Sequence, residues 1–166
     1  MNFVGKGRAY LKGWAVVAIL IGWSLWACKK NPCKDMNCQN GGSCVEGRCN
    51  CALPWEGSRC EVDARAKFFG NWRGPEDCGR GNFIITYNLI AAADGGFTIT
   101  DSLLEIQYKG YLKSSTALEI PWQQVENRRV SGRGELRGDS LLLWHAYAYA
   151  SGDTVRCQAR LARVPR

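Results

Sequence analysis

Histidine is almost missing from this chain: of its 166 residues only His145 carries an imidazole. A multi-histidine metal centre is thereby excluded. The segment Leu143-Trp144-His145-Ala146-Tyr147 sets no carboxylate beside the ring, so it implies neither a metal site nor a proton relay. No cofactor is implied elsewhere, and no nucleophile, base and orienting group assemble into a catalytic set, so an enzyme is not expected. A membrane-spanning run is also lacking. The apolar stretch from Trp14 to Trp26 falls well short of the ~20 residues that a spanning helix needs. A dense basic run is absent too, since Lys and Arg are interleaved with Asp and Glu, and this excludes nucleic acid as a partner.

Acids are absent from the opening segment, which holds Lys6, Arg8 and Lys12 ahead of the Trp14–Trp26 run. That order is the layout of a secretory signal peptide. An ordinary cleavage site wants small residues at −1 and −3, whereas Leu25-Trp26-Ala27-Cys28 places Ala at −1 and Leu at −3. This tetrapeptide resembles the lipobox of bacterial lipoproteins, with a bulky Trp26 where a smaller residue is usual. The resemblance implies removal of residues 1–27. Cys28 would then carry a thioether-linked diacylglycerol and an N-terminal acyl chain such as palmitate, which together hold a protein firmly to a membrane. Removal of Lys6, Arg8 and Lys12 lowers the formal charge from +7 to +4. Lys29 and Lys30, in the 28–32 tether, stand ready to attract anionic headgroups by ~1 kcal/mol each.

Cysteine is plentiful, and its count is odd: nine. Six lie at Cys33, Cys38, Cys44, Cys49, Cys51 and Cys60, two more are Cys78 and Cys157, and Cys28 is the remainder. This density fits an oxidising compartment. A segment as short as 33–60 cannot bury enough apolar surface to fold alone, so cross-links must supply the stability. Spacing by itself leaves fifteen pairings open. The spacing, with Asn40-Gly41-Gly42 and Pro54-Trp55-Glu56-Gly57, closely resembles an EGF-like domain. The resemblance implies Cys33–Cys44, Cys38–Cys49 and Cys51–Cys60. Calcium-binding members carry carboxylates ahead of the first cysteine, where this chain has Lys29-Lys30-Asn31-Pro32, so calcium is not expected.

Residues 61–67 read as a short charged linker, and 68–166 as an all-β domain. Period-two stretches include 83–87, 96–100, 103–106, 117–120, 130–136, 141–149 and 155–164, with turn signals at Asp94-Gly95-Gly96, Arg137-Gly138-Asp139-Ser140 and Ser151-Gly152-Asp153. About seven or eight strands in this length predict an antiparallel up-and-down barrel or a sandwich. A bond between Cys78 and Cys157 would join the first strand to the last and contribute ~4 kcal/mol in the chain-entropy model. Gly70-Asn71-Trp72 resembles the Gly-x-Trp signature of lipocalins, in which the Trp plugs one end and a late-strand Arg packs over it. The resemblance implies Arg163 as that partner, with Arg160 second.

The remaining signals divide between ligand and scaffold. His145, Tyr147 and Tyr149 share one strand face and would either line a ligand pocket or form an aromatic core. Arg137-Gly138-Asp139 matches an integrin-recognition tripeptide but is equally a hairpin turn. Arg128, Arg129, Arg133 and Arg137 read as a solvated face, with an acidic glycan or headgroup as a secondary reading. Lipobox, EGF-like module and β domain together resemble lipoproteins of Bacteroidetes-type bacteria. That implies lipid anchoring to the outer membrane, with the periplasmic or surface face left open. The expected function is a non-enzymatic binding module whose barrel holds a small apolar ligand, with the EGF-like part as a spacer. The alternative is a structural or adhesion lipoprotein with a filled barrel, contacting proteins or glycans.

Overall fold

The computed structural model describes residues 31–79 and 81–165. The stretch read as a signal peptide, Cys28, Lys29 and Lys30 lie outside the described residues. From Met36 onward the chain forms one compact unit. Four short strands come first: β1 (Ser43–Val45), β2 (Arg48–Asn50), β3 (Trp55–Glu56) and β4 (Val62–Asp63). They make two separate two-stranded sheets, β1–β2 and β3–β4. The β1–β2 turn holds Glu46 at φ 48° and Gly47 at φ 79°, the left-handed pair that a tight hairpin needs. Cys38 is joined to Cys49 and Cys51 to Cys60, while Cys33 and Cys44 are each disulfide-bonded. Packing here is tight enough that a Cβ on Gly42 would lie 2.5 Å from Cys60 Sγ.

The stretch read as a charged linker is structured instead. Val62–Asp63 pairs with Trp55–Glu56, and Ala64–Lys67 forms a 3-10 turn. The Asp63 carboxylate accepts from Arg65 N–H at 2.9 Å and also holds the Arg65 guanidinium. Ala64 and Phe68 are fully buried. Charge along 61–67 suggested solvent, but Asp63 and Arg65 neutralise one another while Ala64 packs inward.

Eight longer strands follow: β5 (Gly70–Asp77), β6 (Asn82–Ala91), β7 (Phe97–Asp101), β8 (Ile106–Ser114), β9 (Ala117–Val125), β10 (Arg128–Arg137), β11 (Ser140–Tyr149) and β12 (Thr154–Arg163). Each pairs antiparallel with the next, and β12 pairs back onto β5. The result is a closed up-and-down barrel and not a sandwich. Inward faces follow the expected alternation: Cys157, Ala159 and Leu161 are buried on β12, while Arg156, Gln158 and Arg160 are exposed. One expected strand is displaced. Ser102 to Glu105 form a turn, and β8 begins only at Ile106. The Asp101 carboxylate accepts from the N–H groups of Leu103 and Leu104, and Glu105 takes φ 55°. The apolar letters at 103 and 104 imitated a strand, whereas Lys109 and Gly110 disguised the real one.

One end of the barrel is organised around Trp72. Its indole N–H donates to Phe68 O at 2.7 Å, and the Arg163 guanidinium lies 4.4 Å over the ring, donating to Phe69 O and Lys67 O. Arg160, the second choice for this stacking, points outward. Across the same seam, Cys78 is joined to Cys157. Gly138 sits at φ 58° in the β10–β11 turn, so Arg137-Gly138-Asp139 is a hairpin connection.

The seam also fixes Gly74. A Cβ there would stand 2.2 Å from the carbonyl oxygen of Arg160. Gly74→Ala should therefore lower stability by ~1–3 kcal/mol, read as a reduced urea midpoint. An unchanged midpoint would show that β5 and β12 can separate at no cost.

Candidate functional site

The barrel interior is mostly apolar, yet three polar side chains are buried within it: Glu76, Asp101 and His145. They project from β5, β7 and β11 in phase with apolar neighbours on the same inward faces. Tyr87, Tyr108 and Tyr147 bring hydroxyls into the same region. Tyr87 Oη donates to Glu76 Oε1 at 2.7 Å and lies 3.3 Å from His145 Nε2. Glu76 Oε1 itself is 3.5 Å from that nitrogen. Tyr147 Oη donates to Asp101 Oδ2 at 2.7 Å. The His145 ring sits edge-on to both Tyr87 and Tyr147.

Burial sets the protonation states. Loss of solvent pushes the Glu76 carboxyl above its ordinary value and lowers His145 to about 4. It raises the phenols of Tyr87, Tyr108 and Tyr147 far out of reach of physiological pH. His145 is thus neutral near pH 7. A proton on Nε2 lets it donate to Tyr87 Oη, which donates on to Glu76. That assignment leaves Nδ1 as a bare acceptor, and Nδ1 and Tyr108 Oη have no hydrogen-bond partner. An unpaired buried polar atom costs ~1–3 kcal/mol.

Of the three residues that the sequence set on one strand face, two join this network. His145 and Tyr147 are core, whereas Tyr149 is half-buried further along, with Arg128 at 5.6 Å over its ring. Glu76, Tyr87, Asp101 and Tyr108 were not anticipated. A signal for the two acids existed: Glu76 stands in phase with Trp72, and Asp101 in phase with Ile99, charges at positions where alternation calls for an apolar residue. Glu76 also approaches Cys78 and Cys157. Both sulfurs are consumed by their disulfide, which leaves no thiolate to hold a metal ion.

Little space accompanies this chemistry. Tyr87, Phe97, Ile99, Val130, Leu141 and Ala159 are 0% exposed and pack closely around the network, whose Glu76, Tyr108, His145 and Tyr147 keep only 2–4% exposure. A concavity of about 910 Å³ lies on the outer surface, across β9 to β12 and the end of β5. Strand register explains its shape. Glu119 faces Arg133, Arg133 faces Trp144, Trp144 faces Gln158 and Gln158 faces Asp77, giving one cross-strand row. The adjoining row places Ser131 and Arg156 on either side of Ala146. Small side chains beside an indole leave a trough.

Two experiments test the interior. Tyr147→Phe removes a donor from buried Asp101 and should cost ~1–3 kcal/mol at any pH near neutrality, seen in chemical denaturation. The second concerns pH. His145 has a folded value below its ordinary 6.5, so its contribution is complete above pH 6.5 and is lost as pH falls towards 4. Glu76 has a raised value, so its contribution is present in acid and lost as pH rises through that value. His145→Gln should flatten the loss of stability between pH 6.5 and 4, while Glu76→Gln should not. Parallel pH profiles for wild type and His145→Gln would show that the ring titrates normally.

No family model matches the chain. A stretch of 43 residues, 24% of the chain, is 44% identical to the human protein called Protein eyes shut homolog, and it spans 1% of that protein's length. The structure of zebrafish ileal bile acid-binding protein complexed with cholic acid aligns with 59% of this chain and 99% of its own length. The identity is 15% and the TM-score 0.38.

Proposed function

We propose that this protein is a non-enzymatic binding module of a bacterial envelope, held to the outer membrane by lipid on Cys28 and presenting its barrel on an EGF-like spacer. The observation that carries the binding mode is the filled interior beside an open outer trough. A barrel of eight strands is just wide enough for its own side chains to fill it or for one small ligand to replace them. Here Trp72, Tyr87, Phe97, Tyr108 and Tyr147 occupy that width. The outer trough offers partly exposed aromatic and polar groups without any rearrangement. Recognition of proteins or glycans through this face is the reading that the geometry supports best. Catalysis is not part of it, because the only imidazole is enclosed and bonded into the core.

One observation favours a second reading, in which the barrel holds a small, largely apolar molecule. Tyr108 Oη and His145 Nδ1 are unpaired inside the barrel, and a ligand's polar end would satisfy them. Such a ligand would have to displace packed side chains on entry.

Native mass spectrometry of protein extracted from its own membrane separates the two. The expected spectrum carries the mass of diacylglycerol and an acyl chain on Cys28, with no non-covalent adduct. A discrete small molecule released on denaturation would favour the interior reading instead. Cys28→Ala should move the protein from the membrane to the soluble fraction, and continued membrane retention would remove the lipid anchor from the proposal.

A further inference from the structure

The outer trough has features that narrow its partner. A register shift in the β9–β10 pairing sets Gln123 opposite Val130 and Ile120 opposite Gly132, leaving Pro121 and Trp122 together opposite Ser131. The bulge turns Trp122 outward, where it is 63% exposed. Trp144 lines the trough together with Ser131 and Ala146, and Trp122 stands on the same outer face, just beyond the β9 edge of the trough and opposite Ser131. Each indole is braced by a guanidinium: Arg129 lies 5.1 Å from the Trp122 ring and Arg133 lies 5.0 Å from the Trp144 ring. Bracing restricts the side-chain rotamers, so less freedom is lost when a partner packs against them.

Charge around the trough is balanced. Lys113, Arg133 and Arg156 line it together with Asp77, Glu119 and Glu135. Lys113 pairs with Glu119 at 3.0 Å, and Glu135 pairs with Arg137 at 3.0 Å. A polyanion would meet three carboxylates, and a lipid surface would need a flat basic or apolar face. A sugar hydroxyl both donates and accepts, so it suits guanidinium, amide and carboxylate groups set side by side. The C–H face of a pyranose suits an indole, whose ring face is electron-rich.

From these features we propose that the trough beside Trp144, extended along the outer face to Trp122, binds an uncharged glycan chain. Sugar rings pack on the two indoles, and hydroxyls are taken by Gln158, Arg156 and Asp77. This deepens the surface-binding reading and rests on it.

The test uses the full chain in detergent, titrated calorimetrically with hexasaccharides of β-1,4-linked glucose, mannose and xylose, and with polygalacturonate as a polyanion. At least one hexasaccharide should bind, with an affinity that is nearly the same at low and high salt. Trp144→Ala and Trp122→Ala should each weaken it by roughly tenfold or more, about 1.4 kcal/mol. Arg73→Gln, on the exposed face of β5 away from the trough, should leave it within about twofold. Trp122 is largely exposed, so its variant keeps the test valid if Trp144→Ala unfolds. The proposal is overturned by failure of every hexasaccharide to bind, by undiminished binding in both Trp variants, or by salt-sensitive binding of polygalacturonate alone. In any of these cases an adduct-free native mass spectrum leaves the surface reading standing, whereas a released apolar molecule removes both.

Discussion

Closure of β12 onto β5 is the constraint on which the rest of the barrel depends. An open eight-stranded sheet would leave two unpaired edges and no enclosed core. Three contacts of different kind act along this one seam. Gly74 lets β5 approach the Arg160 carbonyl, Arg163 covers the Trp72 indole, and Cys78 is bonded to Cys157. The first permits backbone proximity, the second caps one end, and the third restricts the unfolded chain. Arg163 also reaches the carbonyls of Lys67 and Phe69, so the last strand is tied to the segment that leads into the first.

Closure brings the polar core with it. Glu76, Tyr87, Asp101 and His145 come from four strands, and only the finished barrel brings their side chains within hydrogen-bond range. Burying two carboxylates and an imidazole is unfavourable unless each is paired. Asp101 resolves this with Tyr147 and two backbone N–H groups, which also shape the β7–β8 turn. Glu76 is served by Tyr87, and desolvation favours its protonated form. A polar core of this kind specifies strand register, because a slip of one residue would point these groups at solvent and expose their apolar neighbours.

The same register that fills the inside composes the outside. Alternation sends Leu143, His145 and Tyr147 inward, and so sends Trp144 and Ala146 outward. The β9–β10 bulge adds Trp122 to that face. A filled barrel then has its outer wall as the readily available place for recognition. On the proposed reading, the EGF-like region holds that wall away from the membrane.

Local rules written into the chain were enough for much of this. Two-residue alternation in 155–164 identified the inner and outer faces of β12, and Gly138-Asp139 declared a turn, because both depend on neighbours in sequence. The spacing of Cys38, Cys49, Cys51 and Cys60, read through its likeness to EGF-like domains, matched covalent partners that short loops keep near one another. Trp72 with Arg163 was legible through the resemblance to lipocalins. Tertiary structure alone decided the rest. Whether 103–106 was strand or turn depended on which backbone groups the Asp101 carboxylate captured. Whether His145 lined a pocket or a core depended on Glu76 and Tyr87, both distant in sequence. The outer trough is a product of pairing between strands, and the bulge that exposes Trp122 has no counterpart in the linear pattern. Sequence carries the periodicity of each strand, but which side chains meet is set by register and closure, and those exist only when all eight strands are in place.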